Sequence, residues 1–110
     1  MSEVKKSGWY SAIITIATDA AKTPEIDLGR DYEFLDILIP TIDSANVSFQ
    51  VAETSGGPFY ALGSGSKVIS AGLGLFATTI RLGGYRYIKI ATSANQTTGN
   101  VTFKVRGWRM

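Results

Sequence analysis

No stretch of this chain repeats its apolar residues at the helical spacing of about 3.6. Short runs of β-branched and aromatic residues are broken instead by turn residues every eight to twelve positions. Helix-rich and α/β folds are thereby excluded, and an all-β chain is expected. Residues 9–17 (WYSAIITIA) form a first candidate strand, followed by a polar connection that ends at Pro24. Residues 25–28 make a short second strand. Gly29, Arg30 and Asp31 are expected to turn the chain into residues 32–39 (YEFLDILI), which Pro40 should stop because it has no N–H for the ladder. Strict alternation along that run places Asp31, Glu33 and Leu35 on one face and Tyr32, Phe34 and Asp36 on the other.

Residues 46–54 alternate well, with Val47, Phe49 and Val51 facing one way and Ser48, Gln50 and Ala52 the other, before Ser55, Gly56, Gly57 and Pro58 turn the chain. Residues 59–62 and 67–70 are two short strands in a glycine-interrupted region. Residues 78–82 pass through Gly83 and Gly84 into residues 85–92, where Ile88 and Ile90 should point inward and Tyr87 and Lys89 outward. A polar loop, residues 93–100, leads to residues 101–109, with Val101, Phe103 and Val105 inward and Thr102, Lys104, Arg106 and Trp108 outward. About eight short antiparallel strands suit a two-sheet sandwich, jelly-roll-like in arrangement. At 110 residues there is room for one core. The expected organisation is a polar N-terminal arm, residues 1–8, followed by a single β-sandwich domain, residues 9–110.

The chain has no Cys and no His. Thiolate or imidazole metal sites, a nucleophile paired with a His base, and disulfide staples are therefore unavailable. No apolar run approaches the roughly 20 residues that cross a bilayer, and the first residues are too polar for a secretory signal, so a soluble protein with no membrane partner is expected. The stretch Gly63, Ser64, Gly65, Ser66, Lys67 resembles a phosphate loop only superficially. Val68 stands where a Ser or Thr is needed, and the glycine spacing is wrong. No carboxylate pair is marked for glycoside chemistry, and the acids of residues 27–43 are expected to decorate loop ends and a solvated face. Asp19, Asp27, Asp31 and Asp43 offer oxygen ligands without a calcium-loop spacing. No enzyme activity and no cofactor are expected.

Charge is unevenly spread. Residues 1–53 carry four basic and nine acidic side chains, a net of −5, whereas residues 54–110 carry seven basic side chains and no acid, a net of +7. Either the two halves neutralise each other as neighbouring strands, or the basic strands gather into a positive face for an acidic partner. If residues 85–92 and 101–109 were neighbours, Tyr87, Lys89, Lys104, Arg106 and Trp108 would form one patch of cations interleaved with aromatics, the composition of binding surfaces. Lys5 and Lys6 in the arm are a second candidate contact, an arm that could lie along a partner's sheet edge.

The run from Leu38, Ile39 and Pro40 through Asn46–Tyr60 (NVSFQVAETSGGPFY) resembles a pattern in small head proteins of tailed bacteriophages. Residues 84–92 (GYRYIKIAT) and 99–107 (GNVTFKVRG) are similar to the closing hairpin of the same family, that of capsid decoration, or cement, proteins. The resemblance implies a jelly-roll sandwich made in the bacterial host cytoplasm. It would sit as a homodimer or homotrimer on the outer capsid surface of the virion and clamp neighbouring major capsid protein subunits. It carries over no catalytic residue. The alternative is a carbohydrate-binding module that uses Trp108, Tyr85 and Tyr87 as stacking platforms. A single-stranded nucleic-acid binder ranks third, because nine acids and a net charge of +2 leave a weak electrostatic footprint, so no specific nucleic acid is expected.

Overall fold

The computed structural model describes residues 5–62, 69–97 and 99–109. These form six β elements: β1 (Lys5–Lys6), β2 (Tyr10–Ile14), β3 (Ile26–Ala52), β4 (Tyr60–Ala61), β5 (Ile69–Thr92) and β6 (Val101–Arg109). All pairings are antiparallel. The hydrogen-bond path is continuous because β3 and β5 are long strands that bend and serve both layers of a sandwich. In the first layer β2 pairs with β6, β6 with residues 34–38 of β3, and that segment with residues 77–81 of β5. In the second, residues 26–27 pair with 87–88, residues 87–92 with 47–52, and residues 50–51 with β4. These eight runs give two layers of four, with β1 extending the first along β6 and residues 69–70 pairing with 46–47, and the arrangement is the expected jelly-roll-like sandwich.

Corners of the long strands depart from the expected breaks. Gly29 does not end a strand: it sits at φ +88° inside β3, where the register shifts between Asp27 and Tyr32 and the chain changes layer. Pro40 does not stop the strand either. Pairing continues to Thr41 opposite Gly74, and the register shifts only between Thr41 and Ala45. A proline is tolerated there because pairing with β6 ends at Leu38, which leaves that side of the strand an open edge. Gly83 and Gly84, at φ +82° and +92°, let β5 turn from one layer to the other without a clash between Cβ and backbone. The first strand is shorter than expected. After Ile14 the chain leaves the sheet in a turn closed by Thr18 and Asp19 N–H groups on the Thr15 carbonyl.

Between the layers lies one core built from Ile14, Leu28, Leu35, Ile37, Val47, Phe49, Leu82, Ile88, Ile90, Phe103 and Val105, all essentially buried. The expected inward sets Val47, Phe49, Val51 and Val101, Phe103, Val105 are all buried, as are Ile88 and Ile90. Two alternation expectations fail. A second register shift, between Tyr32 and Phe34, resets the pleat, so that both Tyr32 and Leu35 turn inward while Phe34 and Asp36 face out. Ala52 is also buried, at the point where β3 leaves the sheet toward the 53–58 connection. At the opposite end Gln96, 2% exposed, staples the 93–97 loop to the β3 corner. Its Oε1 accepts from the Asp43 N–H at 2.7 Å, and its amide reaches the Asp43 and Ala94 carbonyls. The segment from Gly63 to Val68 lies outside the described residues.

Candidate functional site

Side chains that point away from the core on the first layer form an organised face. Its axis is set by register: Phe34 lies opposite Trp108, Asp36 opposite Arg106 and Leu38 opposite Lys104, while Asp36 also lies opposite Thr79. Asp36 is the hub. Arg106 donates to Oδ2 through Nη2 at 2.8 Å and Nε at 3.2 Å, and Trp108 Nε1 and the Thr79 hydroxyl donate to Oδ1, each at 2.9 Å. The Phe34 and Trp108 rings stack with centroids 4.3 Å apart, a diagonal and facing-pair arrangement that fixes the indole. On the other side the Arg106 guanidinium lies 4.3 Å over the Trp9 ring. Lys104 donates to the Ser11 hydroxyl at 2.8 Å.

The hub is half-sheltered, with Asp36 and Arg106 side chains 19% and 27% exposed. Burial pushes the Asp36 carboxyl upward, but donors from Arg106, Thr79 and Trp108 and the Arg106 charge outweigh it, so the pKa is held below the ordinary aspartate range. Around this locked centre Trp9, Ile13 and Leu38 remain exposed, which leaves apolar surface to solvent on a rigid sheet.

Of the residues singled out from the sequence, the structure brings Lys104, Arg106 and Trp108 together. It does not bring Tyr87 and Lys89 to them. Residues 85–92 pair with residues 47–52 and 26–27, not with β6, and both strands turn their apolar sides into the shared core, so their outward residues lie on opposite faces. The expected single patch is therefore two separate surfaces. On the second, Lys89 Nζ sits 4.5 Å over the Phe59 ring and the Arg86 guanidinium 5.2 Å over Tyr87, while Arg86 forms a two-pronged pair with Asp27 at 2.6 and 2.9 Å. Lys5 and Lys6 pair with Arg109 and Trp108 of their own chain, and Ser7 N–H and hydroxyl engage Gly107, so this part of the arm extends the first sheet. Residues 1–4 lie outside the description.

Sequence reasoning missed Trp9, Phe34, Asp36, Leu38 and Thr79. The signal was present for Asp36: one acid inside the apolar run FLDILI implies a partner, because a half-buried carboxylate without donors is costly. Among the described residues no group of three acids is gathered that could hold a metal ion. Asp19 and Asp27 instead accept from neighbouring backbone N–H groups, and Asp43 from Thr97.

No protein-family model matches the chain, and no curated protein sequence matches it. Among solved structures, the chain is similar to the SPBc2 prophage-derived protein YomS, with TM-score 0.62 and 15% identity over 98% of this chain and 96% of that one. It is also similar to CBM32-1 from a family 31 glycoside hydrolase of Clostridium perfringens (TM-score 0.52, 17% identity, 96% and 94% covered). A third likeness is to the CBM32 of AlyQ, solved in complex with 4,5-unsaturated mannuronic acid (TM-score 0.52, 15% identity, 94% and 92% covered). At these identities the likeness is one of fold: an all-β sandwich domain shared by a prophage protein and sugar-binding modules.

Proposed function

We propose that the protein is a non-enzymatic structural protein of a bacteriophage virion, binding the outside of the head and clamping neighbouring major capsid protein subunits as a homodimer or homotrimer. The observation that carries this is the outer face of the first layer. Trp and Arg side chains dominate protein interfaces, and here Trp9, Arg106 and Trp108 are held in place before any partner arrives, which lowers the entropy cost of binding. Exposed Leu38 and Ile13 supply apolar contact, and Lys104 adds positive charge toward an acidic partner. Several weak contacts of this kind gain by avidity when an oligomer engages several shell sites at once. The fold shared with a prophage-derived protein supports the reading. As sugar platforms Trp9 and Trp108 are poorly placed, since Arg106 lies over one ring and Phe34 over the other.

The test is to mix the purified protein with shells of a parent phage that lack it, sediment them and count copies per shell. Saturation at a fixed stoichiometry that matches symmetry sites, lost in Leu38→Glu and Lys104→Glu, is expected. Binding that never saturates, or variants that attach normally, would remove this face from the role. Arg106→Glu is the wrong probe, because it sets a second carboxylate against Asp36 and confuses attachment with folding.

A further inference from the structure

Away from the sheet face, three corners meet at one end of the sandwich: residues 29–31, 53–60 and 83–86. They enclose two adjoining hollows. One, of about 340 Å³, is lined by Ala52, Glu53, Thr54, Pro58, Tyr60 and Tyr85. The other, of about 290 Å³, is lined by residues that include Arg30, Asp31 and Gly84, and shares Glu53 and Tyr85 with the first. The shared pair makes them one trough with two subsites. Its rim is preorganised: Glu25 accepts from the Ser55 hydroxyl and the Gly56 N–H, both at 2.7 Å, and Thr54 and Gly57 close the turn on each other.

Arg86 and Thr54 of this lining are already engaged by Asp27 and Gly57, but its other charged groups are ones the rest of the fold leaves unused. Asp19, Glu25, Asp27, Glu33, Asp36 and Asp43 each accept a hydrogen bond or ion pair. Asp31 and Glu53 are the acids among the described residues with no such partner, and both line the same hollow. Arg30 is likewise unpaired among the described residues, and Tyr60 is 66% exposed at the outer wall. An anionic ligand would face the two unneutralised carboxylates with Arg30 as the one uncommitted cation of the lining, since Arg86 is held by Asp27. A metal ion would find two acids and no third among the described residues. An apolar ligand would strand all of these charges against it. A neutral polyol satisfies the whole set: hydroxyl hydrogens to Glu53 and Asp31, hydroxyl oxygens to Arg30 and the tyrosine O–H groups, and a C–H face on an aromatic ring.

We propose that the trough between Tyr60, Glu53, Tyr85 and Asp31 is a binding site for a neutral hexose. It is separate from the sheet face assigned to shell attachment, so each function stands or falls alone.

The experiment titrates the full-length ¹⁵N-labelled protein with galactose, mannose, glucose and N-acetylglucosamine to about 50 mM, a range that reaches millimolar dissociation constants. At least one sugar is expected to give saturable shifts confined to the amides of residues 29–31, 53–60 and 83–86. Glu53→Gln and Tyr60→Ala should each weaken that binding at least about fivefold. Both positions are exposed, and an unchanged amide spectrum outside the trough checks that these variants fold. Lys104→Glu should leave the affinity as it is. Absence of saturation with every one of these sugars, shifts mapped to another surface, or full affinity in both trough variants would overturn the proposal.

Discussion

Replacing Asp36 by Asn tests the central claim about the sheet face, that one carboxylate organises it. The side chain keeps its volume but exchanges one acceptor oxygen for an NH₂ group. Two consequences follow from the geometry. The Arg106 contacts at 2.8 and 3.2 Å lose their ionic character. Whichever way the amide is turned, one of the Arg106 or Trp108 donors then meets a donor. Hydrogen bonds to charged groups are worth about 1.5–3 kcal/mol each, and the partial exposure of both side chains puts this cluster at the low end. The expected loss is about 2 kcal/mol, equivalent to a fall in Tm of roughly 10 °C for a domain of this size. Urea unfolding at pH 7, followed by far-UV circular dichroism, measures it. Near-UV dichroism should change as well, since Trp108 loses its anchor. In the double variant D36N/R106Q the losses should fall short of the sum of the single variants by about 1 kcal/mol or more, because each single variant strands the other's partner. A loss below about 0.5 kcal/mol for D36N, or additivity within about 0.3 kcal/mol, would refute the hub.

Two further predictions concern packing and pH. An ideal Cβ on Gly107 would stand 2.6 Å from Cγ of the buried Tyr32 ring, so Gly107→Ala should force that ring aside and cost about 1–3 kcal/mol, read as a lowered thermal midpoint. An unchanged midpoint would mean that the ring has room to move. For acid unfolding, Asp36 and Asp27 are both held below the ordinary value of 3.8, Asp27 through its bonds from Arg86 and the Gly29 N–H. A depressed folded pKa stabilises fully above the ordinary value and is lost as pH falls through the folded one, so the urea midpoint should be flat near neutrality and decline below about pH 4. Most of that decline belongs to the more sheltered Asp36, and an equally steep decline in D36N would contradict the assignment.

How much of this was legible in the sequence depends on the length scale of the signal. Alternation over five or more residues was reliable: residues 47–51 and 101–105 bury the sides that the pleat predicts. It failed at Tyr32 because a bulge resets the phase within two residues, and a bulge leaves no composition signature beyond its neighbours. Gly29 and Pro40 were legible as interruptions but not as corners, since a turn residue looks the same whether the chain reverses or crosses to the other layer. Site assembly was partly hidden for the same reason. Lys104, Arg106 and Trp108 share one strand and so share a face. Joining them to Tyr87 and Lys89 needed the strand order, which period-two patterning does not encode.

The uneven charge of the chain now has a physical cause. In this jelly roll β3, from the acidic first half, lies between β5 and β6 of the basic second half, so acids and bases far apart in sequence become cross-strand neighbours. Asp27 meets Arg86, Glu33 meets Arg81, and Asp36 meets Arg106. Wrong pairings, such as β3 folding back on its own acidic segments, would set like charges opposite each other, which destabilises a sheet. The segregation therefore favours the interleaved topology over alternatives that the apolar pattern alone would permit, and it costs little in the native state because Asp27, Glu33 and Asp36 are each matched by an arginine. What escapes neutralisation is correspondingly informative. Lys104, tied among the described residues to the Ser11 hydroxyl alone, leaves net positive charge on the sheet face, while Asp31 and Glu53 have no acceptor engaged among the described residues at the trough. Two surfaces of one small sandwich are thus chemically distinct, which is the condition for each to serve a different partner.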